Sequence, residues 1–293
     1  MSKHYEYALA QPPRQVPWLV RSQVLFGGFL NQFGWLFFSF GLIFVWIFGL
    51  NADLSGLLGP FRTMETAQGT ILRVEETSAT VNETPVYAYI YSFRVERLEM
   101  EYQGKSYSTG RQFEPGWPVT VEYLASDPNV SRIHGMRQAA FGPWVLCLVM
   151  IFPLIGLVFI AFGLLRGVKA NRLLFQGQLA WGELKSKEPT NTRVNNQTVY
   201  KLTFEFRTDD GGVYEVVSKT HLPQLLEDEA EEQLVYDPRN PARAVMLDNL
   251  PGSPDIDELG QILPTSFSRG LLPLILPGLA LLIHGTVFLF LIV

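Results

Sequence analysis

Three long stretches contain no Asp, Glu, Lys or Arg, and they constrain the fold more than any other feature of the chain. They cover residues 24–50, 141–165 and 271–293. Each exceeds the ~20 residues that carry an α-helix across a 30 Å hydrocarbon core. Charged residues make up only 17% of the 293 residues, against about 25% in soluble domains, and the deficit is confined to these stretches. The reading is three transmembrane helices at 24–50, 141–165 and 271–293. A cleaved signal peptide fits the first stretch badly. Signal cores run about 7–15 residues and end at small residues, whereas this one is far longer and follows a tail at 1–23.

Pro153, Pro273 and Pro277 lie in these stretches. Membrane helices tolerate them as kinks or starts because neighbours satisfy the freed carbonyls. His284 is the only ionisable side chain in any span, and an intramembrane ionisable group is a functional candidate by default. The plainer expectation is a neutral histidine bonded to a neighbouring helix. Gly34 and Gly41, with Gly27 and Gly28 upstream, suit close helix packing without forming G-x-x-x-G. Cys147 lies in the second stretch and reads as a small hydrophobe.

Lys and Arg flanking the spans set orientation. Lys3, Arg14 and Arg21 precede the first span and only Arg62 follows it; Arg132 and Arg137 precede the second. Arg166, Lys169, Arg172, Lys185 and Lys187 follow the second, and Arg269 precedes the third. All three spans agree on an N-terminus in the cytoplasm, residues 64–137 outside, residues 177–249 inside and a C-terminus outside. Lys169 and Arg172 also suit contact with anionic lipid, although the topological role is sufficient. The expected location is the bacterial inner membrane, with the bilayer as the first partner.

The two polar regions repeat each other. With Ala67-Gln68-Gly69 placed over Ala180-Trp181-Gly182, an offset of 113, residues 87–94 (Y-x-Y-x-Y-x-F-R) fall over residues 200–207 (Y-x-L-x-F-x-F-R). Tyr123 then falls over Tyr236 and Pro128 over Pro241. Gly104 to Tyr107 is set against Gly211 to Tyr214. Large apolar side chains alternate with period 2, as half-buried strands require. Gly104 and Gly211-Gly212 read as hairpin turns. Each copy offers about five strands in roughly 70 residues, which suits a small β-barrel or sandwich. The expected class is thus an α+β membrane protein: three helices plus two related β domains, at 64–137 and 177–249. Residues 250–270 form a Pro- and Gly-rich linker with a short helix expected at 256–263.

The opening A-x-G, the aromatic strand ending in Phe-Arg, the glycine before a tyrosine and the closing V-x-V-x-Y with Asn-Pro resemble a bacterial membrane-protein family, domain of unknown function number 3592. The resemblance covers about half the chain. It implies small β domains flanked by membrane helices and brings no activity or site residues. The second copy departs from it where the acidic run Glu227 to Glu232 replaces the turn at Pro115 to Pro118.

No P-loop, G-x-G-x-x-G, H-E-x-x-H, C-x-x-C or G-x-S-x-G occurs. The net charge of −5 speaks against nucleic acid as a partner, and one cysteine excludes an intrachain disulfide. No cofactor or metal is expected. The acidic run offers carboxylates to a divalent cation but lacks a calcium loop's spacing, and a solvated edge explains it as well. The tyrosines of the first copy suit a sugar-stacking surface; Leu202 and Phe204 at equivalent positions favour core instead. Three functions are compatible with these features. The leading one is a non-enzymatic interaction or accessory subunit of an envelope complex, with protein partners. The second is a transport or channel component, a homo-oligomer with His284 in its path. The third is a membrane-bound hydrolase with an external site, drawn from His134, Glu114 and Asp127.

Overall fold

In a computed structural model of the chain, residues 12–49, 51–53, 64–227, 230–257 and 259–292 are described. Much of the expected N-terminal tail, the last residue of the first predicted span and the last residue of the third lie outside them. Helix α1 (Trp18–Phe26) is followed by α2 (Phe29–Phe44), which continues as one π turn, Val45–Gly49. Five strands come next: β1 (Met64–Val81), β2 (Thr84–Val95), β3 (Met100–Thr109), β4 (Pro118–Leu124) and β5 (Asp127–Ile133). Helix α3 (Trp144–Gln176) leads to β6 (Gln178–Val194), β7 (Gln197–Arg207), β8 (Val213–Thr220), β9 (Glu232–Asp237) and β10 (Asn240–Met246). A short helix α4 (Phe267–Leu271) and a 3-10 turn (Leu272–Leu274) precede α5 (Ile275–Ile292). Three helical segments, Phe29–Gly49, Trp144–Gln176 and Phe267–Phe290, are long and apolar enough to cross a membrane. The first predicted span starts too early, because the chain breaks at Gly27-Gly28 and assigns Val24 to Phe26 to α1. The helix that holds the second predicted span continues beyond it: α3 has 33 residues, about 50 Å at 1.5 Å per residue, and runs past its apolar part.

The chain divides into two compact units, one of residues Phe40–Pro153 and one of the described residues on either side. In the first unit the strands form one antiparallel sheet in the order β3-β2-β1-β4-β5. In the second the order is β10-β9-β6-β7-β8, the same arrangement with each strand number raised by five. The 113-residue offset extends to detail. Register breaks fall between Ile71 and Arg73 in one sheet and between Leu184 and Ser186 in the other. The first hairpin turns on Asn82-Glu83 and its counterpart on Asn195-Asn196, all four at positive φ. Two-residue turns of that kind match the right-handed twist of the flanking strands. The Thr77 hydroxyl donates to the Val86 carbonyl at 2.8 Å, and Thr190 does the same to Val199 at 2.7 Å. The Tyr123 hydroxyl donates to Glu65 at 2.7 Å; Tyr236 donates to Gln178 at 2.9 Å.

Three sequence expectations are corrected. Neither copy is a closed barrel or a sandwich; each is a single five-stranded sheet. In the first, the Tyr107–Arg137 pair links β3 to the chain after β5, and the Ile133 amide donates to the Ser106 hydroxyl rather than to a backbone carbonyl. A side chain thus takes a position that a closing ladder would need. Gly104 is not a turn: it lies within β3 opposite Tyr91. The register therefore matches Tyr214 with Tyr102, opposite Phe206 and Phe93 respectively, and not with Tyr107. The helix expected at 256–263 is replaced among the described residues by an Ile256–Ile262 bridge. The Asp257 carboxylate accepts the amides of Leu259 and Gln261, which favours a turn over a helix.

The tyrosines of the first copy are core. Tyr89, Tyr91, Phe93, Val121 and Ile133 pack together, as do Leu202, Phe204, Phe206, Leu234 and Met246 in the second. The second sheet has a further layer. Val16, Val20 and Val24 pack with Leu174, Val235, Leu247 and Leu250, so α1 and the end of α3 cover its other face.

Candidate functional site

The apolar helices of the second unit meet through small residues. A Cβ on Gly156 would lie 2.5 Å from the Phe38 nitrogen, and one on Gly163 would lie 2.7 Å from the Asn31 nitrogen. The backbones of α2 and α3 therefore approach closely, as small residues allow between apolar helices. The G-x-x-x-G pattern that the first span lacks occurs in α3, as Gly163-x-x-x-Gly167.

Polar side chains bridge these helices. His284 on α5 is buried, and its Nε2 lies 2.9 Å from the Ser39 hydroxyl on α2. Gln32 donates to the carbonyls of Phe26 at 2.7 Å and Pro273 at 2.8 Å. Ser22 donates to Leu19 and Gly270. Asn31 is fully buried, and neither polar atom of its carboxamide has a hydrogen-bond partner among the described residues. The structure thus places the predicted residue His284 in a helix–helix contact with a neutral hydroxyl.

Arg14, counted in the sequence only as a topological charge, caps the end of α3. Its guanidinium is buried and donates to the carbonyls of Leu174, at 2.8 Å, and Gly177, while its amide donates to Phe175. Burial lowers its pKa. A helix C-terminus carries unpaired carbonyls and partial negative charge, and an arginine fork answers both. Nothing in the local sequence around Arg14 announces this partner 160 residues away.

In the first sheet, Glu122 on β4 sits between two bases. Its Oε2 accepts from Arg132 Nε at 2.7 Å and its Oε1 lies 2.6 Å from His134 Nδ1. Burial pushes the Glu122 carboxyl up, but the hydrogen bonds from Arg132 and His134 outweigh this and leave it below the usual carboxylate range. The other residues considered for an external hydrolase site are engaged elsewhere. Glu114 pairs with Arg111 at 2.5 Å, and Asp127 accepts the Asn129 amide at the start of β5.

Asp228 and Glu229 of the acidic run lie outside the described residues. Of its other members, Glu227 pairs with Lys187 at 2.7 Å and Glu232 is buried at the start of β9. Among the described residues no three His, Cys, Asp or Glu side chains are placed to hold a metal. A cavity of about 720 Å³ opens beside α3, lined by Arg166, Lys169, Arg172, Arg243 and Asp237 together with apolar side chains. Arg243 comes from β10, so sequence position alone does not join it to the α3 cations.

Compared with known proteins, the chain matches no family model and no curated protein.

Proposed function

We propose that this is a multi-pass protein of the bacterial cytoplasmic membrane whose two related sheets stand on opposite sides of the bilayer and act as non-enzymatic interaction modules of an envelope complex. The orientation follows the distribution of Lys and Arg. Membership of the family named above is part of the same reading.

One observation carries the functional half: the same sheet is built twice, with its polar side chains engaged in its own construction. Glu65 and Gln178 each anchor a core tyrosine, Thr77 and Thr190 each fasten a hairpin, and Glu122 is held by two bases. Large apolar side chains nevertheless remain exposed: Leu98, Met100 and Trp117 on the first domain, Val213 and Val217 on the second. Such positions suit protein contact better than chemistry.

Purification in mild detergent tests the reading. A partner in fixed stoichiometry, lost when Trp117 and Leu98 are replaced by serine, supports it. Full restoration of a deletion phenotype by the protein alone in a reconstituted membrane overturns it. Sidedness is read separately, from protease access to the two sheets in sealed vesicles.

The contact between His284 and Ser39 favours a second reading, an oligomeric transport component. Unchanged flux in His284→Leu removes it.

A further inference from the structure

The cavity beside α3 gathers charge of one sign. Arg166, Lys169 and Arg172 come from the helix and Arg243 from β10; Asp237 is the one carboxylate in the lining. Asp237 already accepts the Arg239 amide at 3.0 Å. None of the four cations makes an ion pair or a side-chain hydrogen bond among the described residues. Four like charges around one cavity repel one another, and the single carboxylate of Asp237 offsets only one of them. The arrangement is complementary to an anion with several acceptor oxygens.

Position narrows the anion. Arg166 is the first charged residue after the apolar part of α3. Lys169 and Arg172 follow at one-turn intervals, about 4.5 and 9 Å farther along the axis. Most of the rest of the wall is apolar, with Val24, Ala170, Leu173 and Leu250 in it, and Asn249 adds one uncharged polar side chain. A small soluble anion gains nothing from such a wall, whereas a lipid headgroup brings its own methylenes. At about 720 Å³ the cavity lies within the 300–1,000 Å³ typical of small-molecule sites. Basic pockets at the ends of membrane helices take anionic headgroups by this combination of charge and depth.

We propose that this cavity binds the headgroup of an anionic phospholipid, with Arg166, Lys169, Arg172 and Arg243 around the phosphate diester and Val24, Leu173 and Leu250 against the glycerol and first methylenes. The proposal rests on the membrane reading above. Headgroup binding there ties the second sheet, through Arg243, to the end of the membrane helix.

The test uses the full chain in detergent, titrated with phosphatidylglycerol, phosphatidylcholine and soluble glycerol 3-phosphate, with bound lipid counted by native mass spectrometry. The informative variant is Arg172→Gln/Arg243→Gln, which leaves Arg166 and Lys169 to fix topology. Arg193→Gln, at the far end of β6, is the control. Phosphatidylglycerol should bind in preference to phosphatidylcholine. The double variant should bind it about 25-fold more weakly, about five-fold per cation, and the control should match the parent. Equal binding of the two lipids overturns the proposal, as does a double variant within two-fold of the parent. Displacement of the lipid by an equal concentration of glycerol 3-phosphate overturns it in favour of a soluble phosphate. A chain that needs detergent yet shows no headgroup preference loses this site and keeps the membrane reading; a chain soluble without detergent loses both.

Discussion

The two sheets share strand order, register breaks and turns, yet they treat one face in opposite ways. On the first, Glu122, Arg132 and His134 form an ion-paired cluster in which His134 is largely exposed. The offset of 113 puts Val235, Val245 and Leu247 at the same positions in the second. There they are covered by α1 and the end of α3. Three substitutions convert a wet face into a dry one without changing a strand. The backbone plan of a sheet thus depends on its inner face and turns, while its outer face is free to take water or a helix.

The most damaging way to break this comparison is to move the charge across. Val235 is fully buried, so in Val235→Glu a carboxylate loses water and gains no base. Unpaired buried charge costs about 3–5 kcal/mol. Hydrogen exchange of the β9 and β10 amides in the full chain should accelerate accordingly, with the first sheet unaffected. The reverse transplant, Glu122→Val/Arg132→Val/His134→Leu, removes a partly exposed cluster and should change first-sheet protection by less than about 1 kcal/mol. Equal effects in the two directions would show that the faces are not differently covered.

A second, smaller effect probes the shared inner face. In the first sheet the Tyr91 hydroxyl bonds Ser131 at 3.0 Å, and a Cβ on Gly104 would collide with that tyrosine. The equivalent places in the second sheet, read from strand register for the glycine and from the offset for the others, hold Phe204, Val216 and Ala244. One solution uses a hydroxyl over a glycine; the other fills the same space with a valine. Gly104→Val alone should therefore cost about 1–3 kcal/mol through overpacking. Adding Tyr91→Phe and Ser131→Ala should recover most of the loss, measured as the midpoint of thermal unfolding. Absence of recovery would mean that the two cores are not interchangeable at this site.

These residues also mark what the sequence made legible. Charge-free stretches and period-2 alternation depend on local chain properties, and three apolar helices and two sheets follow from them. The duplication was visible because core tyrosines and turn residues recur in order. What escaped depends on distant partners. Gly104 reads as a turn until its register places it against Tyr91. Arg14 reads as one more flanking cation until α3 presents its carbonyls. Arg243 lies 71 positions beyond Arg172, and β10 brings it beside the helix cations. The open sheet is illegible for the same reason: strand count alone leaves open whether the edges of five strands pair.

The ion-paired cluster makes the sheets differ in acid. The folded-state pKa of Glu122 is depressed, so its contribution to stability is present above the unfolded carboxylate pKa and is lost as the pH falls through the lower folded value. Val235 has nothing to protonate. Between neutral pH and about pH 3, the β4 and β5 amides should lose protection that Glu122→Gln lacks from the outset, by no more than about 1 kcal/mol. Matching acid profiles for the parent and Glu122→Gln would assign the loss to other carboxylates.

The smallest expected effect lies in the first hairpin. Asn82 and Glu83 both hold positive φ, 48° and 64°, and their counterparts Asn195 and Asn196 hold 49° and 62°. The backbone demand is the same, but only the second copy meets it with asparagine twice. Asparagine enters this region far more readily than glutamate, whose longer side chain gains no local hydrogen bond there. Glu83→Asn should therefore stabilise the β1–β2 hairpin by several tenths of a kcal/mol, and Asn196→Glu should weaken the β6–β7 hairpin by a similar amount. Exchange rates of the Thr84 and Gln197 amides read the two changes directly. Opposite signs of similar size would make the turns equivalent. A response confined to one hairpin would show that its neighbours, and not its two turn residues, hold it in place.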